Sequence, residues 1–208
     1  MTPDEVRNLL FRERTRRDKQ ASVGPSEIGG CRRRVWHRLQ GTPTTNPDTF
    51  SLASTMGTAF HSWIEARLER DPRWLLETRI ERDGIRGHID CYDTETETVI
   101  DWKTTKMRNL VYFPSKQQRW QVQIYGWLMS SRRDVSSVCL VAFPKDGTDA
   151  DIVTHNEPYN PKIAEEALAW LDEVKALDVA PRPEKDKKFC RHYCNFYDPS
   201  AVIGCPGK

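Results

Sequence analysis

The chain has 208 residues, 38% of them hydrophobic and 30% charged, with a net charge of +2. That length suits one domain with small appendages. With no run of about 18 apolar residues, a membrane-spanning helix is not expected. The start, MTPDEVRNLLFRERTRRDKQ, lacks the apolar centre of a secretory leader. A reducing cytoplasm is therefore expected, in which the six cysteines read as metal ligands or buried thiols rather than disulfides.

Charge is uneven along the chain. Residues 1–40 hold ten Lys/Arg against five Asp/Glu, and residues 181–208 hold six against three. Residues 71–101 hold four against nine. Basic ends around an acidic centre suit a polyanion bound over a metal site, although a solvated mixed-charge surface has the same composition.

In chain order, residues 3–19 have a narrow apolar stripe at Val6, Leu9 and Leu10, which predicts a helix. Ser26 is placed to cap a second helix through EIGGCRRRVWHRLQ. GTPTTNPDT is loop, and a helix is expected over about 51–70, ended by Asp71-Pro72. Strands are expected at about 74–82, 85–93 and 97–103, the first two joined by an Asp83-Gly84 hairpin. A helix follows at about 116–131, then a buried strand in VSSVCLVAFP, an edge strand in ADIVTHN and a helix at about 161–177. A Pro- and Lys-rich linker leads to the tail FCRHYCNFYDPSAVIGCPGK. This order predicts an α/β (α+β) fold with a mixed sheet. Three segments are expected within a single domain: a helical segment at about 1–48, a core at 49–180 and a cysteine-rich tail at 181–208.

The chemistry concentrates in GHIDCYDTETETVIDWKTTK, residues 87–106. Alternate strand residues share a face, so Asp101, Lys103 and Val99 point one way while Ile100 and Trp102 point the other. If the strand carrying Asp90 pairs beside it, two carboxylates converge and repel unless a cation lies between them. Hard oxygen donors suit Mg²⁺ or Mn²⁺, and the carbonyl of Trp102 is a further candidate ligand. Lys103 beside such a metal would orient water and stabilise charge on a phosphate. His61, one helical turn after Gly57, offers an imidazole that manganese accepts more readily than magnesium. Gln121 and Tyr125 are i, i+4 and project together, and Glu77 is a candidate for the metal's outer shell. A surface hairpin with water-facing charges and a structural histidine would account for the same short patterns.

Cys190, Cys194 and Cys205 have the spacing C-x3-C-x10-C, and Cys31 lies about 160 residues before them. Four thiolates fit zinc or an iron–sulfur cluster, and spacing does not separate the two. His192 is a substitute ligand candidate. A cross-link over so long a loop is worth roughly 5 kcal/mol on the loop-entropy view. Cys91 and Cys139 read as buried strand thiols.

Taken together, GTAFH with His61, GHID with Asp90, DWK with Asp101 and Lys103, QVQIY with Gln121 and Tyr125, PSEIGGCRRRVW with Cys31 and the C-terminal cysteine trio resemble the PD-(D/E)XK nuclease superfamily. Within it they look like the RecB-type branch, and within that branch the iron–sulfur exonucleases associated with CRISPR systems and their phage-encoded relatives. The resemblance covers about residues 22–206. It implies a restriction-endonuclease-like core with a central mixed sheet flanked by helices. It also implies a metal on His61, Asp90 and Asp101, a catalytic Lys103, and a [4Fe–4S] cluster on Cys31, Cys190, Cys194 and Cys205 that joins the two terminal segments. The C-x3-C-x10-C spacing departs from the C-x2-C pair more usual there.

The expected activity is Mg²⁺- or Mn²⁺-dependent exonucleolytic hydrolysis of DNA, on single strands or ends. In that reading Gln121 and Tyr125 hold the strand, and Arg32, Arg33 and Arg34 attract the backbone. Partners would be DNA and recombination, replication or CRISPR-adaptation proteins, with no membrane. The alternative is a nucleic-acid-binding or partner-recruiting module with little cleavage.

Overall fold

Five extended runs rich in β-branched and aromatic residues pair into one sheet. They are β1 (Trp74–Arg82), β2 (Ile85–Asp93), β3 (Thr98–Thr105), β4 (Ser137–Pro144) and β5 (Val153–Pro158), side by side in that order in a computed structural model. The structure describes residues 2, 5, 6, 23–46 and 52–208. The helix expected over 3–19, apart from residues 5 and 6, and the end of the GTPTTNPDT loop lie outside the described residues.

Asp83 and Gly84 both take positive φ, 49° and 75°, the conformation a two-residue hairpin needs between β1 and β2. β2 and β3 are antiparallel, β3 and β4 parallel, and β4 and β5 antiparallel. The sheet is therefore mixed and the class α/β. The parallel step requires a crossover, which α3 (Lys116–Met129) supplies. A reciprocal capping box starts α3: Ser115 N donates to Gln118 Oε1 at 2.8 Å and Gln118 N to Ser115 Oγ at 3.3 Å.

Residues Trp120 to Met129 of α3 are all buried, because the helix lies between the sheet and α4 (Pro161–Lys175). Two glycines set these distances. A Cβ on Gly87 would meet Leu128 at 2.3 Å, and one on Gly126 would meet the Tyr159 ring at 2.6 Å. The fully buried Gln123 is satisfied by Glu157 Oε1 at 2.8 Å, Pro158 O at 3.2 Å and the amide of Asn160 at 2.9 Å. On the other face, α2 (Leu52–Leu68) brings Phe60 to within 4.7 Å of the Phe143 ring, which neighbours Trp102.

The helix expected from Ser26 onward is interrupted. Pro25–Glu27 form a single 3-10 turn, and α1 (Arg32–Leu39) starts only after Cys31, its N-cap residue. Gly29 causes the break: its φ is +80°, and a Cβ there would approach Trp120 to 2.7 Å. The tail holds a short helix that was not expected, α5 (Lys187–Tyr193), capped by Asp186. Cys190, Cys194 and Phe196 form a small core of their own. Hydrogen bonds tie the two ends together: Trp36 Nε1 to Leu177 O at 2.9 Å, Arg33 to Pro181 O at 2.8 Å, and Asn46 to Cys194 O at 3.0 Å. Among the described residues no helix is long and apolar enough to cross a membrane.

Candidate active site

Asp101 and Lys103 alternate along β3 and face α3, as their spacing requires. Lys103 Nζ stands 2.7 Å from Asp101 Oδ2 and donates to Gln121 Oε1 at 3.1 Å. Gln121 Nε2 donates to Asp101 Oδ1 at 3.2 Å and to the Tyr125 hydroxyl at 3.0 Å. Asp101 is only 1% exposed, and its Oδ2 makes no hydrogen bond of good geometry among the described residues, so the ammonium meets it as an ion pair. Burial, and then the Asp101 charge, push the Tyr125 hydroxyl well above its ordinary pKa, so it stays protonated.

β2 carries the second acid. Cys91 faces Ile100 and Tyr92 faces Val99, so the register puts Asp90 opposite Asp101. Trp102 N donates to Asp90 Oδ2 at 2.8 Å. Burial, and then repulsion from Asp101, nevertheless raise the Asp90 pKa to about 8. Two carboxylates that cannot both ionise comfortably form a site that a cation would relieve.

His61 comes to this point from α2. Its Nε2 lies 3.1 Å from Trp102 O; a carbonyl only accepts, so Nε2 carries the proton and Nδ1 faces Asp90 Oδ1 at 3.7 Å. Gly57, one turn earlier, faces β3: a Cβ there would meet Thr104 Oγ1 at 3.4 Å, about an ordinary contact. Glu77 completes the group from β1. It sits at φ +48°, and the β1–β2 ladder has no pair there between Leu76–Cys91 and Thr78–Ile89. A non-glycine residue in the left-handed region at a cleft is a mark of a functional position. Among the described residues one set of three candidate ligands has its donor atoms within 4.8 Å of one another: His61, Glu77 and Asp90. Asp101 lies outside that trio, turned to Lys103 and Gln121.

These seven residues line one cleft of about 1360 Å³. Hard carboxylate donors and one imidazole, with the Asp90 and Asp101 carboxylates repelling one another beside them, fit a divalent cation of the Mg²⁺ or Mn²⁺ type. A profile of the PD-(D/E)XK nuclease superfamily matches residues 68–198, the span holding Glu77, Asp90, Asp101, Lys103, Gln121 and Tyr125. The chain belongs to the PD-(D/E)XK nuclease superfamily. No curated protein matches the sequence. The crystal structure of SSO0001 is similar over 99% of this chain and 94% of that one, at 21% identity and a TM-score of 0.61. The alkaline exonuclease LHK-Exo from Laribacter hongkongensis is similar at 15% identity over 75% of this chain and 89% of that one, with a TM-score of 0.51. LHK-Exo in complex with dAMP aligns at 13% identity over 75% and 87% of the two chains, with a TM-score of 0.55. At these identities the likeness is one of fold.

Other candidates of the nuclease chain lie elsewhere. Arg32, Arg33 and Arg34 do not line the cleft. Arg32 pairs with Glu173 at 2.9 Å, Arg33 holds Pro181 O, and Arg34 sits 3.9 Å from Glu27. Arg32 and Arg33 fasten α1 to α4 and the stretch after it, and Arg34 faces the turn that precedes α1. Cys31, Cys190 and Cys194 line a separate cavity of about 130 Å³. Burial raises the Cys190 thiol to about 11, and its next contributors are Cys194, Cys205 and Cys31, which places all four thiols in one neighbourhood. Gly207 N donates to Cys205 Sγ at 3.4 Å. His192 is exposed and packs beside Tyr193. The sequence reading missed His88, whose Nε2 reaches Glu77 Oε2 at 2.9 Å; its place two residues before Asp90, on the same strand face, was the available signal.

Proposed function

We propose that this nuclease-superfamily chain is a divalent-metal-dependent DNA exonuclease of the RecB type, acting on single strands or DNA ends. The observation that carries the reading is the Lys103 ammonium, fixed between Asp101 and Gln121 beside the Asp90–His61 pair in an open cleft. His61, Asp90 and Asp101 are the proposed protein ligands, with Glu77 closing the shell. A bound Mg²⁺ or Mn²⁺ would supply Lewis acidity toward the scissile phosphate and acidify its water. Lys103, kept in place by Gln121, positions that water and meets the charge that develops on the phosphate oxygens. Tyr125, held protonated, donates and does not act as a base. That LHK-Exo, similar in fold, was crystallised in complex with dAMP supports a nucleic-acid substrate.

The test is cleavage of end-labelled single- and double-stranded DNA with Mn²⁺, Mg²⁺ or EDTA. Cation-dependent shortening from one end, lost in Lys103→Ala, supports the reading. Activity that survives Lys103→Ala and Asp101→Ala sinks it. Metal-independent binding without cleavage would favour the recruiting module.

For the cysteines we infer an iron–sulfur cluster of structural role on Cys31, Cys190, Cys194 and Cys205. The gathering of the four thiols, with Cys31, Cys190 and Cys194 around one cavity, supports a shared inorganic group. Anaerobic purification followed by a visible spectrum and iron and sulfide analysis tests this. A colourless, zinc-loaded protein would refute it.

A further inference from the structure

The cleft runs well past the acids, and α3 sets its direction. Gln121, Tyr125, Leu128 and Arg132 are spaced i, i+4, i+7 and i+11, one stripe of a 3.6-residue helix. The first two stand at the acids, and Leu128 packs beneath Gly87. Arg132 lies in the turn that continues α3, its amide donating to Met129 O at 2.8 Å. At a rise of 1.5 Å per residue the stripe from Gln121 to Arg132 is about 16 Å long. At 3.4 Å per stacked nucleotide, that spans roughly four or five phosphates.

Arg79 of β1 lines the same cleft, in register with His88. Both arginines are exposed, and neither side chain has a partner among the described residues. The other cations of the cleft are engaged. Lys103 lies 2.7 Å from Asp101, Arg86 is 2.8 Å from Glu81, His88 is 2.9 Å from Glu77, and His61 is 3.7 Å from Asp90. Two free guanidinium groups, on different elements of a wall that otherwise pairs its cations, call for an anion from outside. The separation of Arg132 from Gln121, and so from Lys103, along the stripe calls for an extended one. Guanidinium forks suit phosphate.

We propose that Arg79 and Arg132 hold backbone phosphates of the DNA strand away from the scissile bond, Arg132 several nucleotides along it. This rests on the nuclease reading and adds to it a second, non-catalytic anchor. The strand runs along the α3 stripe, and affinity grows with substrate length until that anchor is reached. Arg32, Arg33 and Arg34 take no part.

The experiment binds a fluorescein-labelled oligothymidylate of about twelve nucleotides, with Ca²⁺ in place of the catalytic ion, across about 50–200 mM salt. Wild type, Arg79→Gln, Arg132→Gln and, as a control outside the cleft, Arg70→Gln are compared. Each cleft variant is expected to weaken binding several-fold and to lower the salt slope by about 0.7, the value for one single-strand phosphate contact. In turnover KM rises by the same factor with kcat unchanged, and the difference vanishes on substrates of two or three nucleotides. Arg70→Gln matches wild type. Unchanged affinity, slope and KM in both cleft variants overturn the proposal. If wild type cleaves and Lys103→Ala does not, that result overturns only the anchor. If wild type does not cleave at all, the nuclease reading falls instead.

Discussion

Lys103 touches two partners of opposite character, a buried carboxylate at 2.7 Å and an amide oxygen at 3.1 Å. The first pairs with it and the second aims it. Lys103→Ala is expected to lower single-turnover cleavage by at least about a hundredfold, the scale of one lost transition-state donor, while DNA binding persists. Gln121→Ala leaves the ammonium present but unaimed and should lower the rate by about 10–100-fold, as supporting residues of metal sites do. Asp90 makes the site pH-dependent. Its folded pKa, about 8, is above its ordinary 3.8, so the metal-free fold gains stability from the protonated form. That contribution is fully present below 3.8 and is lost as pH rises through about 8. A cation must displace this proton, so apparent Mn²⁺ affinity should rise about tenfold per pH unit up to about pH 8 and then level off. Calorimetric titration checks both trends. Asp90→Asn should flatten the stability profile and abolish tight binding.

At the scale of the element, α3 does two jobs with one sequence. Its apolar positions hold the sheet, and Gln121 and Tyr125 supply the site. Leu128 is fully buried, so Leu128→Ala should cost about 2–5 kcal/mol by chemical denaturation, with activity at saturating DNA reduced less than stability. Gly126→Ala should cost about 1–3 kcal/mol, because its Cβ would press into Tyr159 at 2.6 Å. The open end of the β1–β2 hairpin, away from the Asp83-Gly84 turn, has a different fastener. Arg73 grips Asp93 through two bonds of 2.8 and 2.6 Å, which holds the Asp93 carboxyl far below its usual pKa. Its stabilisation is present above 3.8 and is lost as pH falls through the depressed value. Arg73→Gln should therefore lower the melting temperature at neutral pH, with the gap to wild type narrowing in acid.

Over the whole molecule, the terminal segments meet through hydrogen bonds from α1 and residues 45–46 to the C-terminal stretch, with the four cysteines beside that seam. The turn that starts at Gly24 lines the catalytic cleft, and the same segment ends at Cys31 beside the cysteine cavity. Ser26 O accepts from Gln117 Nε2 at 2.6 Å, at the head of α3, so the seam and the site share a support. Cys190→Ser should remove the visible absorption of anaerobic protein, lower the melting temperature, and make residues 181–208 an early site of proteolysis.

The primary structure alone determined about where the five strands and both long core helices lie, because alternation of period two and a stripe of period 3.6 are local signals. It also determined that Asp101 and Lys103 share a face, and that Gln121 and Tyr125 project together, since these are properties of a single element. It did not reveal the break before α1, because Gly29 is required by the Trp120 ring from far along the chain. Nor did it reveal the turn of Arg32, Arg33 and Arg34 toward Glu173, Pro181 and Glu27. Glu77 joins His61 and Asp90 only because its backbone takes φ +48° where the ladder opens. Arg79 and Arg132 belong to one cleft only because β1 folds beside the end of α3. Spacing along a chain specifies what one strand or helix presents; which charges find partners and which stay free is decided by surfaces that meet only in the folded molecule.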